Sequence, residues 1–333
     1  MKLLSKIALM VGLTTMLHMP AAAEPVTIKL SWVVPVTSWG SIVLEKKDLM
    51  RNLGKTYNLE VARFRGTSEA LQGLASGDLD IADISTGGLA TAYDNGVTDV
   101  SIIADELQDG VNGYYSTEFL VRAESNIRSV TDLKGKIIAV SAIGSANDLM
   151  LRAMLHKNKI SDKDVTIIEA APATMGEMLK SGKADAIAAI RPFSAQAAFR
   201  EGNRVLFTGK DGMGESDLIV WVAKKSFVVE NRAALVDFIA DMQRVAYWFS
   251  DPANHAEVEK IAASATKLPV EFWQGWVFTK QDYYRNPDMM PNAAALQANF
   301  DLMQQLGFTK SAIKVSDVLD PTIVEEASKR PRN

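Results

Sequence analysis

The sequence of 333 residues predicts an α/β protein of two lobes, each a mostly parallel sheet flanked by helices, with two chain crossings at a hinge. Two observations predict this fold class. Residues 74–85 read LASGDLDIADIS and residues 179–190 read LKSGKADAIAAI, so one pattern occurs twice. Each copy is typical of a helix end, a C-cap glycine, a turn and a buried strand. In addition, strands and helices precede both copies in the same order.

The elements before the first copy alternate between strand and helix. They are a strand at 26–32, a helix at 39–53 after the candidate caps Thr37 and Ser38, a strand at 59–64, and a helix at 68–75 with Ser68 as N-cap. Ser and Thr favour these cap positions because their side-chain oxygens accept hydrogen bonds from the free amides of the first turn.

The elements before the second copy repeat this order. They are a strand at 136–142, an amphipathic helix at 145–157, a strand at 165–169 and a helix at 174–180. Each half therefore reads β-α-β-α-β, which predicts a parallel sheet with helices on its faces.

Two further strands are expected to carry the chain between the lobes, at 115–122 and at 217–223. The remaining tail is mostly helical, with stretches at 227–249, 254–265 and 291–306 that we expect to pack on the first lobe. The predicted lobes are residues 24–116 with 221–333, and residues 117–220.

The first 23 residues are typical of a secretory signal peptide that is cleaved after Ala23. Lys2 and Lys6 provide the positive start, an apolar run follows at 7–17, and three alanines at 21–23 provide the cleavage site. The alternative is a membrane anchor, but a spanning helix needs about 20 apolar residues. We therefore expect export to the periplasm.

Composition limits the classes of partner. Loss of Lys2 and Lys6 changes the formal charge from −4 to −6, so no basic face for nucleic acid is predicted. The chain has no Cys, so the fold has no disulfide in an oxidising compartment.

Ligands of open parallel sheets bind beyond the carboxyl ends of the strands, where loops enter helix N-termini. Six loops meet this description, at 33–39, 65–68, 85–88, 143–147, 171–173 and 191–193. The candidate ligand-binding residues are Ser31, Trp32, Trp39, Gly66, Thr67, Thr86, Gly87, Tyr115, Ser145, Ala146, Asn147, Arg191 and Asp217.

Each candidate also has a structural interpretation. Ser145, after Gly144, either supports an anion at a helix start or only caps that helix. Arg65 and Arg191 each follow a predicted strand, and either is a planar donor for a carboxylate or sulfonate or an ordinary loop charge.

The aromatic and acidic candidates leave the same choice. Trp32, Trp39, Tyr114 and Tyr115 either line a cleft or belong to the core. Asp217 either accepts a hydrogen bond from a ligand or forms part of a hinge turn.

The sequence does not favour an enzyme. It contains no HExxH, no GxSxG, no phosphate loop and no Cys pair. His156 and His255 lie away from the predicted cleft loops, so we expect neither catalysis nor a metal or cofactor.

Several runs resemble one family of proteins. They are TDLKGK at 131–136, the pairs at 139–140, 144–145 and 164–165, LKSGKADA at 179–186 followed by RPF at 191–193, ALQ at 70–72, and GDLDIA at 77–82. Together they resemble the solute-binding proteins of ABC importers for nitrate, sulfonates and taurine, a group that includes binding proteins for thiamine-pyrimidine precursors.

The resemblance implies the two-lobed periplasmic-binding-protein fold of type II. It implies ligand contacts at Ser31-Trp32, Gly66-Thr67, Thr86-Gly87, Ser145-Ala146 and Arg191-Pro192. Many members carry an acidic residue before Pro-Phe, so Arg191 favours an anionic ligand. Pyrimidine synthases of similar fold depend on a Cys-rich motif, which this chain lacks.

The implied function is capture of a small organic anion, a sulfonate or carboxylate that includes aromatic ones, by hinge closure. The expected partners are this ligand and an ABC permease of the inner membrane with a separate ATPase, and we expect a monomer. The alternatives are a binding protein for nitrate or a thiamine-pyrimidine precursor and, from another class, a periplasmic enzyme or a sensor-coupled receptor.

Overall fold

The computed structural model describes residues 24–331. The predicted signal segment and its cleavage after Ala23 lie outside these residues. Within them, no helix is both long enough and apolar enough to cross a membrane.

The described residues form ten strands and twelve α-helices. The strands are β1 (Val26–Trp32), β2 (Tyr57–Arg63), β3 (Ile81–Ser85), β4 (Val100–Asp109), β5 (Glu118–Arg122), β6 (Ile137–Val140), β7 (Thr166–Glu169), β8 (Ala186–Ala189), β9 (Asn203–Thr208) and β10 (Ser216–Lys224). The helices are α1 (Thr67–Ser76), α2 (Thr86–Asp94), α3 (Ala146–Lys157), α4 (Met175–Lys180), α5 (Ala197–Arg200), α6 (Gly209–Met213), α7 (Lys225–Glu230), α8 (Arg232–Ser250), α9 (His255–Thr266), α10 (Ala293–Gln305), α11 (Val315–Val318) and α12 (Thr322–Ala327).

The strands form two five-stranded sheets with matching topology. The first sheet has the order β2-β1-β3-β10-β4 and the second the order β7-β6-β8-β5-β9. In each sheet the first three strands are parallel and the last two pairings are antiparallel. The α/β fold with two repeated units is confirmed, and each sheet is mostly parallel, with four strands in one direction and one reversed strand, β10 in the first sheet and β5 in the second. The reason is that β10 and β5 each enter their sheet from the other one and run against its parallel strands.

The repeated sequence pattern has the same conformation in both sheets. The first copy forms the end of α1, a left-handed Gly77 with φ +85° and β3. The second forms α4, Gly182 with φ +75° and β8. Glycine suits these positions because a side chain disfavours positive φ.

The chain passes between the sheets twice, from β4 to β5 and from β9 to β10. Strand β10 pairs with β3 and β4 along its length, so residues 216–220 belong with the first sheet. The expected lobe boundary after residue 220 therefore falls inside a strand of that sheet. The division into two moving lobes stays a prediction.

Three local predictions need correction. The helix expected at 39–53 is two 3-10 segments, Trp39–Ser41 and Val43–Leu49. Ser68 lies inside α1, whose N-cap is Gly66, since the helix already begins at Thr67. The helix expected at 227–249 is two helices, α7 and α8, which are separated at Asn231, where both the backbone amide and the side-chain amide donate to the Phe227 carbonyl.

The tail packs on the first sheet, as predicted. Helix α8 buries Phe238, whose ring stacks on Trp221 of β10 with 5.5 Å between centroids. Complete burial of such a side chain contributes about 1.5–3 kcal/mol. The tail thereby helps to hold β10 in its place between β3 and β4.

Candidate functional site

The two sheets contact each other through the loops that the sequence predicts to form a cleft. Leu149 of α3 packs so closely on Gly87 of α2 that its Cδ1 would overlap any Cβ at that position. The Thr37 hydroxyl donates to the Arg191 carbonyl over 3.4 Å. Loop 33–39 of the first sheet therefore meets loop 191–193 of the second, and loop 85–88 meets the first turns of α3, which follow loop 143–147.

On the first sheet, a hydrogen-bond pair joins two of the predicted loops. Thr67 Oγ1 donates to Ser85 Oγ over 3.2 Å and accepts from the Ser85 amide over 3.0 Å. Ser85 caps α2 by accepting from the Gly88 amide over 3.1 Å. These bonds bring Gly66-Thr67 beside Thr86-Gly87.

On the second sheet, loop 143–147 is ordered by its own side chains. Ser145 caps α3 by accepting from the Asp148 amide, as its structural interpretation predicts. The Asn147 amide group accepts from the Ser141 backbone and donates to the Ser141 hydroxyl. The first-turn amides of Ala146 and Asn147 have no intrahelical acceptor. They are therefore available to an anion at this helix end.

One carboxylate beside this helix end was not predicted. Asp148 has a side chain only 1% exposed, accepts from the Gly144 amide over 2.8 Å and pairs with Arg152. Its negative charge offsets part of the attraction that the α3 N-terminus has for an anion.

Arg191 is buried at the boundary between the sheets. Its guanidinium lies 4.5 Å from the Tyr115 ring centre and 4.7 Å from the Trp276 ring centre. Its Nε donates to the Gln281 carbonyl over 3.0 Å. These contacts tie the 191–193 turn to the first crossing and to the tail. Cation–π contacts of this kind each contribute about 0.5–2 kcal/mol.

Arg65, the other basic candidate, is a surface charge. Its side chain is 91% exposed and pairs with Glu69 four residues along the chain. The structure therefore supports the interpretation of Arg65 as an ordinary loop charge.

Three predicted ligand contacts lie in the core instead. Trp39 is 1% exposed and packs against Phe249 and Phe278. Ser31 is fully buried and accepts from the Asp83 amide over 2.8 Å, which links β1 to β3. Asp217 is fully buried and accepts from the backbone of the tail. None of the three side chains offers a polar or aromatic face to a ligand in this conformation.

The remaining aromatic candidates differ in exposure. Trp32 is half-buried with the Arg63 guanidinium 5.4 Å from its ring, so it can still face a ligand. Tyr115 is buried, and its hydroxyl bonds to the Ala189 carbonyl and the Ser194 hydroxyl.

Two pairs of buried carboxyl groups were not predicted as pairs. Asp83 on β3 contacts Glu106 on β4, and Asp105 on β4 contacts Asp217 on β10. Burial is the main cause that raises the pKa of each of these groups, to about 6 for Asp83 and about 7 for Asp217. The pKa values of Asp105 and Glu106 are also raised, by burial and then by the neighbouring carboxylate. Acidic residues inside the otherwise apolar runs of β3 and β4 are the signal that indicates them.

A further buried acid organises the first crossing. Asp109 ends β4 and accepts from the Thr117 amide over 2.7 Å and from its hydroxyl over 2.8 Å. Burial raises its pKa. Asp109 therefore fixes the direction in which the chain leaves the first sheet.

The described surface also has cavities outside these loops. Cavities of about 410 and 370 Å³ lie near Trp248 and near Arg122 respectively, apart from the predicted cleft. Among residues 24–331, no group of three or more His, Asp or Glu side chains is arranged to hold a metal ion.

Comparison with known proteins gives a family match. A sequence profile described as the NMT1-like family matches residues 21–263. A putative thiamine biosynthesis protein of Haemophilus influenzae is 25% identical over 91% of this chain and 94% of its own length. A putative aliphatic sulfonates-binding protein of Bacillus subtilis is 26% identical over 58% of this chain and 56% of its own length.

Among solved structures, the alkanesulfonate-binding protein SsuA of Xanthomonas axonopodis pv. citri, bound to MOPS, has a similar fold. It superposes with a TM-score of 0.70 at 20% identity, over 90% of this chain and 99% of that one.

Proposed function

The chain belongs to the NMT1-like family, and from that membership and the meeting of its two sheets we propose that it is the extracytoplasmic solute-binding component of an ABC importer. The observation that carries this proposal is the contact between α2 and α3 at Gly87 and Leu149. It joins two helix N-termini, one from each sheet, at the edge where open α/β sheets bind ligands.

The proposed mechanism is closure about the two chain crossings. In an open form, loops 33–39, 65–68 and 85–88 bind the ligand first. Closure adds the contacts of loops 143–147 and 191–193 and excludes water. A ligand stabilises the closed form only by the free energy of these added contacts. The closed protein then docks on a permease of the inner membrane that a separate ATPase drives.

For the ligand we propose a small organic anion with a sulfonate or carboxylate group. The free first-turn amides of Ala146 and Asn147 at the N-terminus of α3 support an anion. The names of the Bacillus and Xanthomonas relatives, an aliphatic sulfonates-binding and an alkanesulfonate-binding protein, also support it. Arg191 supports it through its place beside the contact of the two sheets. We infer that it also holds the 191–193 turn in place, since its guanidinium makes cation–π contacts with Tyr115 and Trp276.

The second candidate is a thiamine-pyrimidine precursor. The name of the Haemophilus relative, a putative thiamine biosynthesis protein, favours it. Nitrate is the remaining alternative for the ligand. A periplasmic enzyme and a sensor-coupled receptor are the remaining alternatives for the function, and turnover of a bound compound would identify the first and a sensor partner the second. We also propose that the mature protein is a periplasmic monomer from which residues 1–23 have been removed.

A thermal-shift panel tests the proposal directly. The compounds are alkyl and aryl sulfonates, carboxylates, nitrate, taurine and pyrimidines. A ligand at 100 times its dissociation constant stabilises the protein by about 2.7 kcal/mol. We expect sulfonates or carboxylates to raise the melting temperature most. A response to neutral or cationic compounds alone contradicts an anionic ligand.

Substitution of the two arginines provides a matched comparison. We expect Arg191→Ala to weaken binding of the best anion at least about tenfold, because the variant loses the one or two cation–π contacts that hold the 191–193 turn. Arg65→Ala, which removes an exposed charge, leaves the affinity unchanged. Equal affinity of both variants and the wild type would remove Arg191 from the site.

A further inference from the structure

The first cleft loop, residues 33–39, contains a strained backbone conformation. Val36 adopts a left-handed conformation with φ +66° although its side chain is β-branched, and it is almost fully buried. A branched residue rarely adopts this conformation, so its surroundings must impose it. The loop is also the part of the first sheet that reaches Arg191, through Thr37.

Hydrogen bonds at both ends hold this loop in place. The Ser38 hydroxyl oxygen accepts from the amides of Val33 and Val34 over 3.3 and 3.2 Å. At the far end, the Trp39 amide donates to Glu106 Oε1 over 2.6 Å. Glu106 on β4 is therefore the anchor that connects the end of the loop to the sheet.

Glu106 and Asp83 form a carboxyl pair beneath this loop. Each residue is 1% exposed, and Glu106 Oε2 and Asp83 Oδ2 have no hydrogen-bond donor among the described residues. Apart from burial, the groups that act most strongly on the two carboxyl groups are uncharged donors and the partner carboxyl group. Two buried carboxylates in contact repel each other unless one of them keeps a proton.

We propose that one proton shared by Asp83 and Glu106 holds the first cleft loop in the position that binds ligand, which makes the two carboxyl groups positioning residues. This inference rests on the proposed solute-binding function. Loss of the shared proton places two like charges beneath the loop, moves Glu106 and releases the Trp39 amide. Ligand affinity therefore falls as the pH rises through the titration of the pair.

The groups that face the pair leave it isolated from other charges. The loop contributes the Ser38 hydroxyl and the Val33 and Trp39 amides, and β10 contributes the Trp221 indole. Other charged groups on the packed elements are the Asp105–Asp217 pair and Arg285, and Arg285 bonds to Asp282 and to the Thr37 carbonyl. Burial is the first cause of the raised pKa of both Asp83 and Glu106, in agreement with this isolation.

Glu106→Gln removes the shared proton but keeps the shape of the pair. The amide oxygen still accepts from the Trp39 amide, and the amide N–H takes the place of the proton toward Asp83. The affinity for 1-butanesulfonate, which stays ionised throughout, is measured from pH 6 to pH 9. We expect the wild-type affinity to fall at least about tenfold and the Glu106→Gln affinity to stay constant.

Asp105→Asn is the matched control, because it removes a proton from the other pair and leaves the first cleft loop untouched. We expect it to keep the wild-type dependence of affinity on pH. If Glu106→Gln does not fold, Asp83→Asn presents the same amide from the opposite side. Parallel pH profiles of the wild type and the amide variant would overturn the proposal.

Hydrogen exchange decides the inference even when butanesulfonate does not bind, which would count against the proposed function alone. The protection of the Trp39 amide is corrected for intrinsic exchange rates at each pH. We expect it to fall at least about tenfold from pH 6 to pH 9 in the wild type and to stay constant in Glu106→Gln. Equal protection profiles would refute the role of the shared proton.

Discussion

Replacement of Gly87 by alanine tests whether the contact between α2 and α3 belongs to the closed, ligand-bound form. The new Cβ would overlap Cδ1 of Leu149 and lie 3.8 Å from Sδ of Met303. Leu149 is only 5% exposed and packs among the buried side chains of the first sheet, so it has little room to move. Overpacking of this kind costs about 1–3 kcal/mol.

This cost is confined to conformations in which the two sheets meet here. If ligand binds by closure, the cost reduces the affinity, and 1–3 kcal/mol corresponds to a loss of about 5- to 150-fold. In an open, ligand-free protein the overlap is absent, and alanine is at least as good a helix former as glycine. We therefore expect weaker binding, measured by isothermal titration calorimetry, without a lower melting temperature of the free protein.

Two control variants make this result specific. Leu149→Ala combined with Gly87→Ala removes the overlapping atom, so the double variant should regain most of the lost affinity. Gly73→Ala places a Cβ 3.0–3.2 Å from Phe64 and Leu79, within the first sheet, and should lower the melting temperature without changing the affinity. Unchanged affinity of Gly87→Ala, or a double variant that binds as weakly as the single one, would refute the closure contact.

Three further substitutions test individual elements of the fold. Asp241→Ala should lower the free energy of unfolding by about 3–5 kcal/mol in a urea titration. The reason is that Asp241 is fully buried, pairs with Arg244 and accepts hydrogen bonds from three other residues. A loss below about 1 kcal/mol contradicts this. Asp105→Asn should flatten the dependence of stability on pH between about pH 4 and 7 by up to about 1.4 kcal/mol per pH unit. The sign follows from the raised pKa values of Asp217, about 7, and of Asp105, because the folded protein then keeps a proton that the unfolded chain has released, and stability falls as the pH rises. A wild-type slope in the variant contradicts a proton held by the Asp105–Asp217 pair. Gly77→Ala should destabilise the protein by about 1–2 kcal/mol, since Gly77 has φ +85°, and an unchanged melting temperature would show that the turn adapts.

Much of the architecture follows from local sequence. The two copies of the repeated pattern specify a helix end, a left-handed glycine and a buried strand without reference to the rest of the chain. The start of α3 at Ser145 is equally local, because the hydroxyl and the amide that it caps are three residues apart. Interactions of this range depend on backbone conformation and side-chain type, and both are readable in the sequence.

The direction of strands β5 and β10 within their sheets depended on tertiary structure. Strands β5 and β10 look like ordinary apolar strands in the sequence, and only the order of strands in each sheet makes them antiparallel to their neighbours. Strand order is set by the packing of distant segments, which no local pattern contains.

The candidate site divides in the same way. Loop positions at the carboxyl ends of the strands followed from the order of elements along the sequence. The role of Arg191 did not, because its partners Trp276 and Gln281 lie about 85–90 residues further along the chain. Trp39 could equally have lined the cleft until α8 and the tail covered its ring. The sequence alone determined where loops and helix ends occur, whereas burial, and with it the pairing of Asp83 with Glu106, was decided by contacts between segments far apart in the chain.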